Sequence, residues 1–435
     1  MRISVVVSQT LFVVLLIILF RGSAYPQEGE REHAVIGFDT CVELALENSY
    51  EILISKEEIT AAARQVENAA RAYYPKIRLQ GSARADLLEL EEFSSDDTAY
   101  GLILDWNPYQ SGELLRRNAE AKLNFYIAKL NREEAVIDIV YGVQELYYEI
   151  LKSQYALEGE EFSLDMERWK LETQEAEFKA GRIKEADLLS ARSAYYEKEL
   201  ALEKERQKYG IKLIRLKNKV QRKDFGRIAD VERNIVDEVS FTLDESINTA
   251  YLRHRKYITT KERENLARLG VKYSKLKKLP SVSFFTTSDY ALDPAAAGED
   301  FGFRVGVSAS YPLYDAGETK SIIDSAESFL RKSVLDLRRE KESTTLQVTE
   351  KYFTLQNQVE LLKISREKEE RFAEDWQRAE IDFRNGSISQ IDYNKFKYAY
   401  LLSNNRIKGL ELDVMLAQSS LLRAMGINSF DELIK

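Results

Sequence analysis

The segment from Phe301 to Tyr311 reads FGFRVGVSASY, and it decides the fold. Every second residue is apolar, and the positions between them hold Gly, Ser and one Arg. This period-two alternation over eleven residues predicts a β-strand with one apolar face and one polar face. The apolar parity consists of Phe301, Phe303, Val305, Val307, Ala309 and Tyr311.

Long proline-free stretches lie on both sides of this strand. No proline occurs in 109–279 or in 313–435. Because proline inside a helix costs about 3 kcal/mol, both stretches are free to form long helices. Apolar residues recur there at alternating spacings of four and three, which is the coiled-coil period. They are Val136, Val140, Val143, Tyr147 and Ile150 in the first stretch, and Val348, Tyr352, Leu355, Val359 and Leu362 in the second.

The two stretches are copies of each other at a constant offset of 205 residues. Matched prolines and glycines mark the same joints in both, which generic helical arrays would not share. The sequence therefore predicts a tandem duplication. The expected parts are a first repeat at 25–222, a linker at 223–242, a second repeat at 243–426 and a tail at 427–435. The matched pairs include Pro75 and Pro280, Gly112 and Gly317, Gly181 and Gly386, and Asp187 and Asp392.

Each repeat carries a predicted β-hairpin, at 77–106 and at 281–311. Four strands cannot close a membrane barrel alone, because the smallest bacterial barrels have eight. Either several copies complete a barrel, or the strands form a soluble sheet that lies on the helices. Aromatic residues at the strand ends favour the barrel, since barrels carry aromatic girdles at both interfaces. These residues are Tyr100, Trp106, Tyr290, Phe301 and Tyr311.

The predicted helix lengths suggest how the repeats are arranged. The long helices, from Gly112 to Phe178 and from Gly317 to Phe383, each span 67 residues, or roughly 100 Å. Pairs of shorter helices that stack end to end would match them. We expect the strand hairpins at one end of the rod, the Phe-x-x-Gly turns at the other, and the linker and tail near the middle. The shorter helices are Thr40–Tyr74 with Ile183–Arg222, and Leu243–Leu279 with Ile388–Met425.

Residues 1–24 form a predicted secretory signal peptide. Arg2 precedes an apolar run from Val5 to Phe20, and small residues lead to a cleavage site after Ala24. The alternative is an uncleaved anchor helix, but the run is shorter than the ~20 residues that span a bilayer. The protein is therefore expected to leave the cytoplasm.

Composition excludes several classes of function. The 435 residues include 63 Lys and Arg against 72 Asp and Glu, a net charge of −9 that argues against a nucleic-acid partner. With one cysteine and two histidines, His33 and His254, no cysteine-based or histidine-based metal site and no cofactor is predicted, while metal binding by carboxylates alone stays open. We expect Cys41 to be a packing residue, His254 to lie on a solvated helix face, and the basic run Lys272–Lys278 to stabilise a helix C-terminus. No phosphate-binding loop or nucleophile elbow is present, so an enzyme is not predicted.

The whole mature chain resembles the outer-membrane efflux protein family, the TolC-like channels. The resemblance rests on Ala45-Leu-Glu-Asn48, on Tyr74-Pro75, on Tyr311-Pro-Leu-Tyr-Asp-Ala-Gly317, and on the paired turns that begin at Gly181 and Gly386. It implies a mainly α fold with a small β part. In such a fold, long antiparallel coiled-coil helices form a periplasmic α-barrel, and four strands per chain contribute to a trimeric 12-stranded transmembrane β-barrel.

The resemblance also implies a function and partners. The expected protein is a homotrimer in the outer membrane that extends into the periplasm. It would be the exit duct of a tripartite efflux pump or a type I secretion system. Its partners would be a periplasmic adaptor, an inner-membrane transporter and outer-membrane lipid. The alternative is a periplasmic coiled-coil scaffold without a pore.

Three groups of site residues follow. The periplasmic aperture is predicted at Asp392, Asp187 and Lys395, with the pKa of Asp392 raised by its symmetry copies and a partial pairing with Lys395. The alternative is that Asp392 only caps the returning helix or is solvated on it. In this family a tyrosine and an arginine often tie the coils at the positions of Phe383 and Ile388, so Arg182, Lys184 and Arg384 are candidate replacements. The first repeat also departs from the family at Asn107-Pro108-Tyr109.

The predicted tip and adaptor-docking residues are Phe178, Gly181, Arg182, Phe383, Gly386 and Ile388. The predicted barrel-lumen residues are Arg78, Arg84 and Arg304, and the lipid-facing ones are Ile77, Leu79, Leu87, Phe303, Val305 and Val307.

Overall fold

The computed structural model describes residues 35–83, 98–232, 242–291 and 300–428. Within these ranges the chain forms eight α-helices, a four-stranded sheet and a two-stranded sheet. The predicted mainly helical fold with a small β part is confirmed. In chain order the elements are β1 (Val35–Ile36), α1 (Phe38–Asn48), α2 (Tyr50–Arg71), β2 (Lys76–Ala83), β3 (Thr98–Tyr109), α3 (Glu113–Lys179), α4 (Glu185–Lys219), β4 (Arg227–Ile228), α5 (Leu243–Arg253), α6 (Arg255–Lys275), a 3₁₀ turn (Leu276–Lys278), β5 (Ser281–Ala291), β6 (Asp300–Ser310), α7 (Glu318–Arg384) and α8 (Gln390–Ala424).

Equivalent helices of the two halves coincide at the offset of 205. The long helices α3 and α7 both have 67 residues, and the return helices α4 and α8 both have 35. The joints that precede the long helices also match, since Gly112 has φ 85° and Gly317 has φ 87°. Both glycines lie in the left-handed region, which a residue with a Cβ enters at a cost.

The first of the two shorter helices in each repeat is broken into two, which was not predicted. Continuous helices over Thr40–Tyr74 and Leu243–Leu279 are wrong, because the backbone is extended at Ser49 (ψ 129°) and at the equivalent His254 (ψ 114°). The Ser49 hydroxyl caps α2 by accepting from the Glu51 N–H at 3.2 Å. The expected solvated helix face for His254 is also wrong. His254 is half-buried at the break, and no described residue bonds its buried Nδ1.

The main core surrounds the middle of α3. Tyr147 and Cys41 are fully buried there, as expected for a packing cysteine, and burial raises the pKa of the Cys41 thiol to about 12. The Tyr147 hydroxyl lies 2.7 Å from the Ala229 carbonyl oxygen and 3.1 Å from that of Ile36. It thereby fastens α3 to the small parallel sheet of β1 and β4, which the sequence did not predict. A second core joins α5, α7 and α8 around Val348 and Leu355.

The larger sheet has the strand order β2-β3-β5-β6, and all its neighbours are antiparallel. Strand β3 was expected to end at Trp106 but continues through Pro108 to Tyr109, with a register shift between Trp106 and Tyr109. A proline that cannot donate a hydrogen bond is tolerated in a sheet at such an irregularity. Among the described helices, none has both the length and the hydropathy needed to cross a membrane.

Candidate functional site: helix tips and sheet faces

The first tip joins α3 to α4 through a tight glycine turn. The Arg182 N–H donates to the Glu177 carbonyl at 2.9 Å, and the Gly181 N–H donates to that of Phe178 at 2.9 Å. This pair of bonds is a Schellman motif, which satisfies the last carbonyls of a helix and needs a left-handed residue. Gly181 supplies it with φ 70°.

The second tip, between α7 and α8, repeats this geometry. The Ser387 N–H donates to the Asp382 carbonyl at 2.8 Å, and Gly386 has φ 74°. A Cβ built at Gly386 would meet no atom within 4 Å. The glycine requirement is therefore conformational rather than steric, and the predicted positive φ at both tips is confirmed.

The predicted aperture acids both lie in the first turn of a return helix. Asp187 Oδ2 accepts from the Lys184 N–H at 3.2 Å at the start of α4. At the start of α8, the Ser389 hydroxyl accepts from the Asp392 N–H at 3.2 Å and donates to Asp392 Oδ2 at 2.7 Å. Carboxylates in this position interact favourably with the positive end of the helix dipole.

The electrostatics of Asp392 differ from the expectation. The Ser389 hydroxyl, followed by the Lys395 ammonium, holds the pKa of Asp392 below its usual value in the single chain. The expected rise would need symmetry copies close by, whereas the groups that face Asp392 here are a hydroxyl and a cation. The predicted pairing with Lys395 is present, with Nζ 3.1 Å from Oδ1.

The aromatic and basic residues of the second tip have partners within the chain. The Phe383 ring stacks on Tyr393 of the return helix, with centroids 5.1 Å apart and planes at 18°. Arg384 forms an ion pair with Glu380 one turn earlier, at 2.6 Å. Ile388 is half-buried, whereas Phe178 of the first tip is exposed. Phe383 therefore joins the two helices of its own coil by stacking rather than by a hydroxyl.

Strand register gives the sheet two chemically different faces. Cross-strand partners share a face, so Leu79, Leu102, Ser288 and Phe303 form one row. The next row on that face contains Ile77, Leu104, Thr286 and Val305. The apolar side chains Ile77, Leu79, Phe303, Val305 and Val307 are all more than 60 % exposed in the single chain.

The opposite face carries the predicted lumen arginines. Arg78 and Arg304 lie in one row with Ile103 and Thr287 between them. Arg78 forms an ion pair with Asp105 on the same face. Arg84, and Leu87 of the expected lipid-facing set, lie outside the described residues. The two described arginines thus share one face, and their assignment to a lumen remains a prediction.

Sequence reasoning missed three contributors to this site. Ser389 caps α8, Tyr393 stacks on Phe383, and Asp105 pairs with Arg78. The Ser389-x-x-Asp392 spacing is a capping pattern that could have been found in the sequence. Tyr393 and Asp105 carry no local signal, because their contacts depend on how two helices pair and on the strand register. In the part of the chain that the structure describes, no group of His, Cys, Asp and Glu could hold a metal ion.

Solved structures share this fold over nearly the whole chain. CusC aligns with a TM-score of 0.72 at 16% identity, covering 93% of this chain and 96% of that chain. The Campylobacter jejuni CmeC outer membrane channel aligns with a TM-score of 0.72 at 14% identity, covering 89% and 85%. VceC of Vibrio cholerae aligns with a TM-score of 0.69 at 15% identity, covering 90% and 96%. At these identities the likeness is one of fold.

Sequence comparison gives the family. No curated protein sequence matches the chain significantly. Residues 41–219 and 267–427 match the sequence profile described as outer membrane efflux protein. Because this match spans well over half of the sequence, the chain belongs to the outer membrane efflux protein family.

Proposed function

We propose that three copies of this chain join into a 12-stranded barrel continuous with a helical tunnel. The assembly is the exit duct of a tripartite efflux pump or of a type I secretion system, and it passes small molecules or protein cargo. Family membership makes the chain an outer-membrane efflux protein that extends into the periplasm. A periplasmic adaptor and an inner-membrane transporter complete the proposed machine.

The observation that carries the proposal is the four-stranded sheet. Its outer strands β2 and β6 each pair on one side only, within the residues that the structure describes. Free strand edges invite pairing with another chain, and closure into a barrel removes them. Three copies supply twelve strands, which exceeds the eight of the smallest bacterial barrels.

The two sheet faces support the same arrangement. Exposed Ile77 and Leu79 on β2, and Phe303 and Val305 on β6, give one face of the sheet apolar patches at both edges, which water solvates poorly. A bilayer around a closed barrel covers this surface, while the arginine face lines a wet lumen. A sheet that curves with its apolar face outward places the apolar side chains against lipid and the arginines in the lumen.

The tips have the second proposed role. The turns at Gly181 and Gly386, with the tip residues defined above, form the adaptor-docking surface. Three-fold symmetry would place the Asp392 carboxylates, and those of Asp187, around the periplasmic aperture. Rings of acids favour cations in a narrow opening, and Lys395 weakens the field of the Asp392 ring.

The test is conduction across a planar lipid bilayer by the protein purified in detergent. A duct gives stable ion conductance and a trimer band that heat dissociates on a denaturing gel. A detergent-free monomer that gives no conductance would overturn the proposal and favour the scaffold without a pore.

A further inference from the structure

The end of α6 that faces the sheet carries a local cluster of positive charge. Five basic residues and no acid occur between Arg268 and Lys278, in a chain with a net charge of −9. We infer that the basic cluster Lys272, Lys277 and Lys278 binds anionic phospholipid headgroups in the periplasm-facing leaflet of the membrane. This inference rests on the proposed function, because it needs the apolar sheet face to lie in lipid.

Comparison of the two repeats shows that the basic cluster is not a shared feature of this joint. Basic residues near a helix C-terminus are stabilised by the helix dipole, so both repeats would be expected to carry them. The equivalent helix α2 ends at the same joint, yet it has only Arg71 in its last turn. The positions 205 residues before Lys272, Lys277 and Lys278 hold Glu67, Ala72 and Tyr73. The charge therefore belongs to the second repeat and is not a requirement of the joint.

None of the three lysines forms an ion pair within the described chain, although Lys277 is near enough to Glu113 to help lower the pKa of that carboxyl. Arg268 pairs with Glu264, and Lys275 lies 3.7 Å from Glu327. Lys272, Lys277 and Lys278, by contrast, form no ion pair with any residue that the structure describes, and Lys272 and Lys278 are exposed. Three like charges within seven consecutive residues repel one another, and a polyanionic surface would relieve the repulsion.

A cleft beside the cluster has room for a headgroup. It has a volume of about 210 Å³ and lies between the start of α3, the end of α6 and α7. Lys277 contributes a cation to its lining, whereas Arg116 is already paired with Glu113 at 2.7 Å and with Glu120. Ser111, Tyr273 and Ser274 also line the cleft, and hydroxyl-bearing residues suit a phosphate ester, although the Ser111 hydroxyl already donates to the Leu279 carbonyl at 2.8 Å.

The basic cluster lies next to the sheet, at the depth where the phosphates of a surrounding bilayer are expected. Lys278 is three residues before the first residue of β5, whose partner strand β6 carries exposed Val305 and Val307. Exposed apolar side chains occupy the same joints, namely Tyr74, Leu279, Tyr311 and Leu313. Cations at the border of an apolar band lie where the headgroups of a bilayer begin.

The test measures lipid selectivity of the full-length protein in phosphatidylethanolamine nanodiscs. Spin-labelled phosphatidylglycerol and spin-labelled phosphatidylethanolamine report which lipid is held at the protein surface. Wild type should prefer phosphatidylglycerol, and the triple variant Lys272→Gln, Lys277→Gln, Lys278→Gln should lose most of that preference. Each lysine near an anionic surface contributes about fivefold to affinity, and added salt should reduce the wild-type preference.

The control removes the same charge elsewhere, through Lys204→Gln, Lys363→Gln and Lys397→Gln, and should leave the preference unchanged. Equal preference in wild type and the cluster variant would overturn the inference, as would loss of preference in the control alone. A cluster variant that keeps its lipid preference but changes ion selectivity in bilayers would place the lysines on the pore and also overturn it. Displacement of the lipid by inorganic phosphate at constant ionic strength would assign the cleft to free phosphate instead. If neither labelled lipid is immobilised by wild type, the proposed membrane insertion itself fails.

Discussion

An arginine at Val305 should prevent assembly of the barrel. Val305 is 69% exposed in the single chain and lies in the apolar row with Ile77. A charged side chain on the lipid face costs about 2–4 kcal/mol at the bilayer midplane. Three symmetry copies raise this to about 6–12 kcal/mol per barrel, which is comparable to the whole stability of a typical domain. Denaturing gels of outer-membrane fractions, run without heating, should show loss of the trimer band for Val305→Arg.

The matched control places the same charge on the other face of the same strand. Ser308 has the parity of Arg304 and is exposed. Ser308→Arg should assemble normally, because a wet lumen accommodates a charge, and Arg304→Ala should assemble and change the single-channel conductance. Normal trimers of Val305→Arg together with failed assembly of Ser308→Arg would show that the faces are reversed.

Three further predictions concern the tips and the helix break. Gly386→Val should cost about 1–3 kcal/mol locally because a β-branched residue must adopt φ 74°; trimers should persist while export in a drug-susceptibility assay is lost, and an export-competent strain would count against the docking role. Asp392→Asn should reduce cation preference and block by multivalent cations added from the periplasmic side, and unchanged single-channel recordings would remove Asp392 from the aperture. Burial lowers the pKa of His254, and the nearby Glu340 carboxylate only partly opposes this effect. The folded state therefore resists protonation of His254, and its stability should fall as the pH drops below about 6.5. His254→Gln should make the trimer-dissociation temperature less sensitive to pH over that interval, and an unchanged pH dependence would exclude His254 as its source.

Much of the fold was predictable because the two halves of the sequence are copies that can be aligned with each other. The offset of 205 relates the starts and ends of α3 and α7 without a gap, and the glycines at 181 and 386 occur where a left-handed residue is required. The period-two alternation of apolar and polar residues likewise predicted both ends of β6 to within one residue. Each of these features depends on local periodicity or on a residue with special backbone freedom.

Some of the features that escaped prediction depend on contacts between distant segments, and others on weak local signals. Ser49 and His254 break their helices without a glycine or proline; Ser49 is a capping type of residue, whereas His254 carries no such signal. The pairing of β1 with β4 involves only two residues per strand and relies on Tyr147 to fasten it. At Asp392, we expected symmetry copies to raise the pKa of the carboxyl, whereas in the single chain the Ser389 hydroxyl and then the Lys395 ammonium lower it.

The long helices α3 and α7 are equal in length, and so are the return helices α4 and α8. A single mutation therefore cannot change how far the tips lie from the sheet. The tip of each coil is defined where a long helix meets its return helix, so inserting residues into α3 alone would misalign its packing against α4. A seven-residue insertion adds about 10 Å and preserves the coiled-coil phase. To move both tips outward together, it would have to be made at equivalent heights in α3, α4, α7 and α8. Length variation among such chains should therefore arise in coordinated sets of heptads, and a duct of chosen length could be engineered by the same rule.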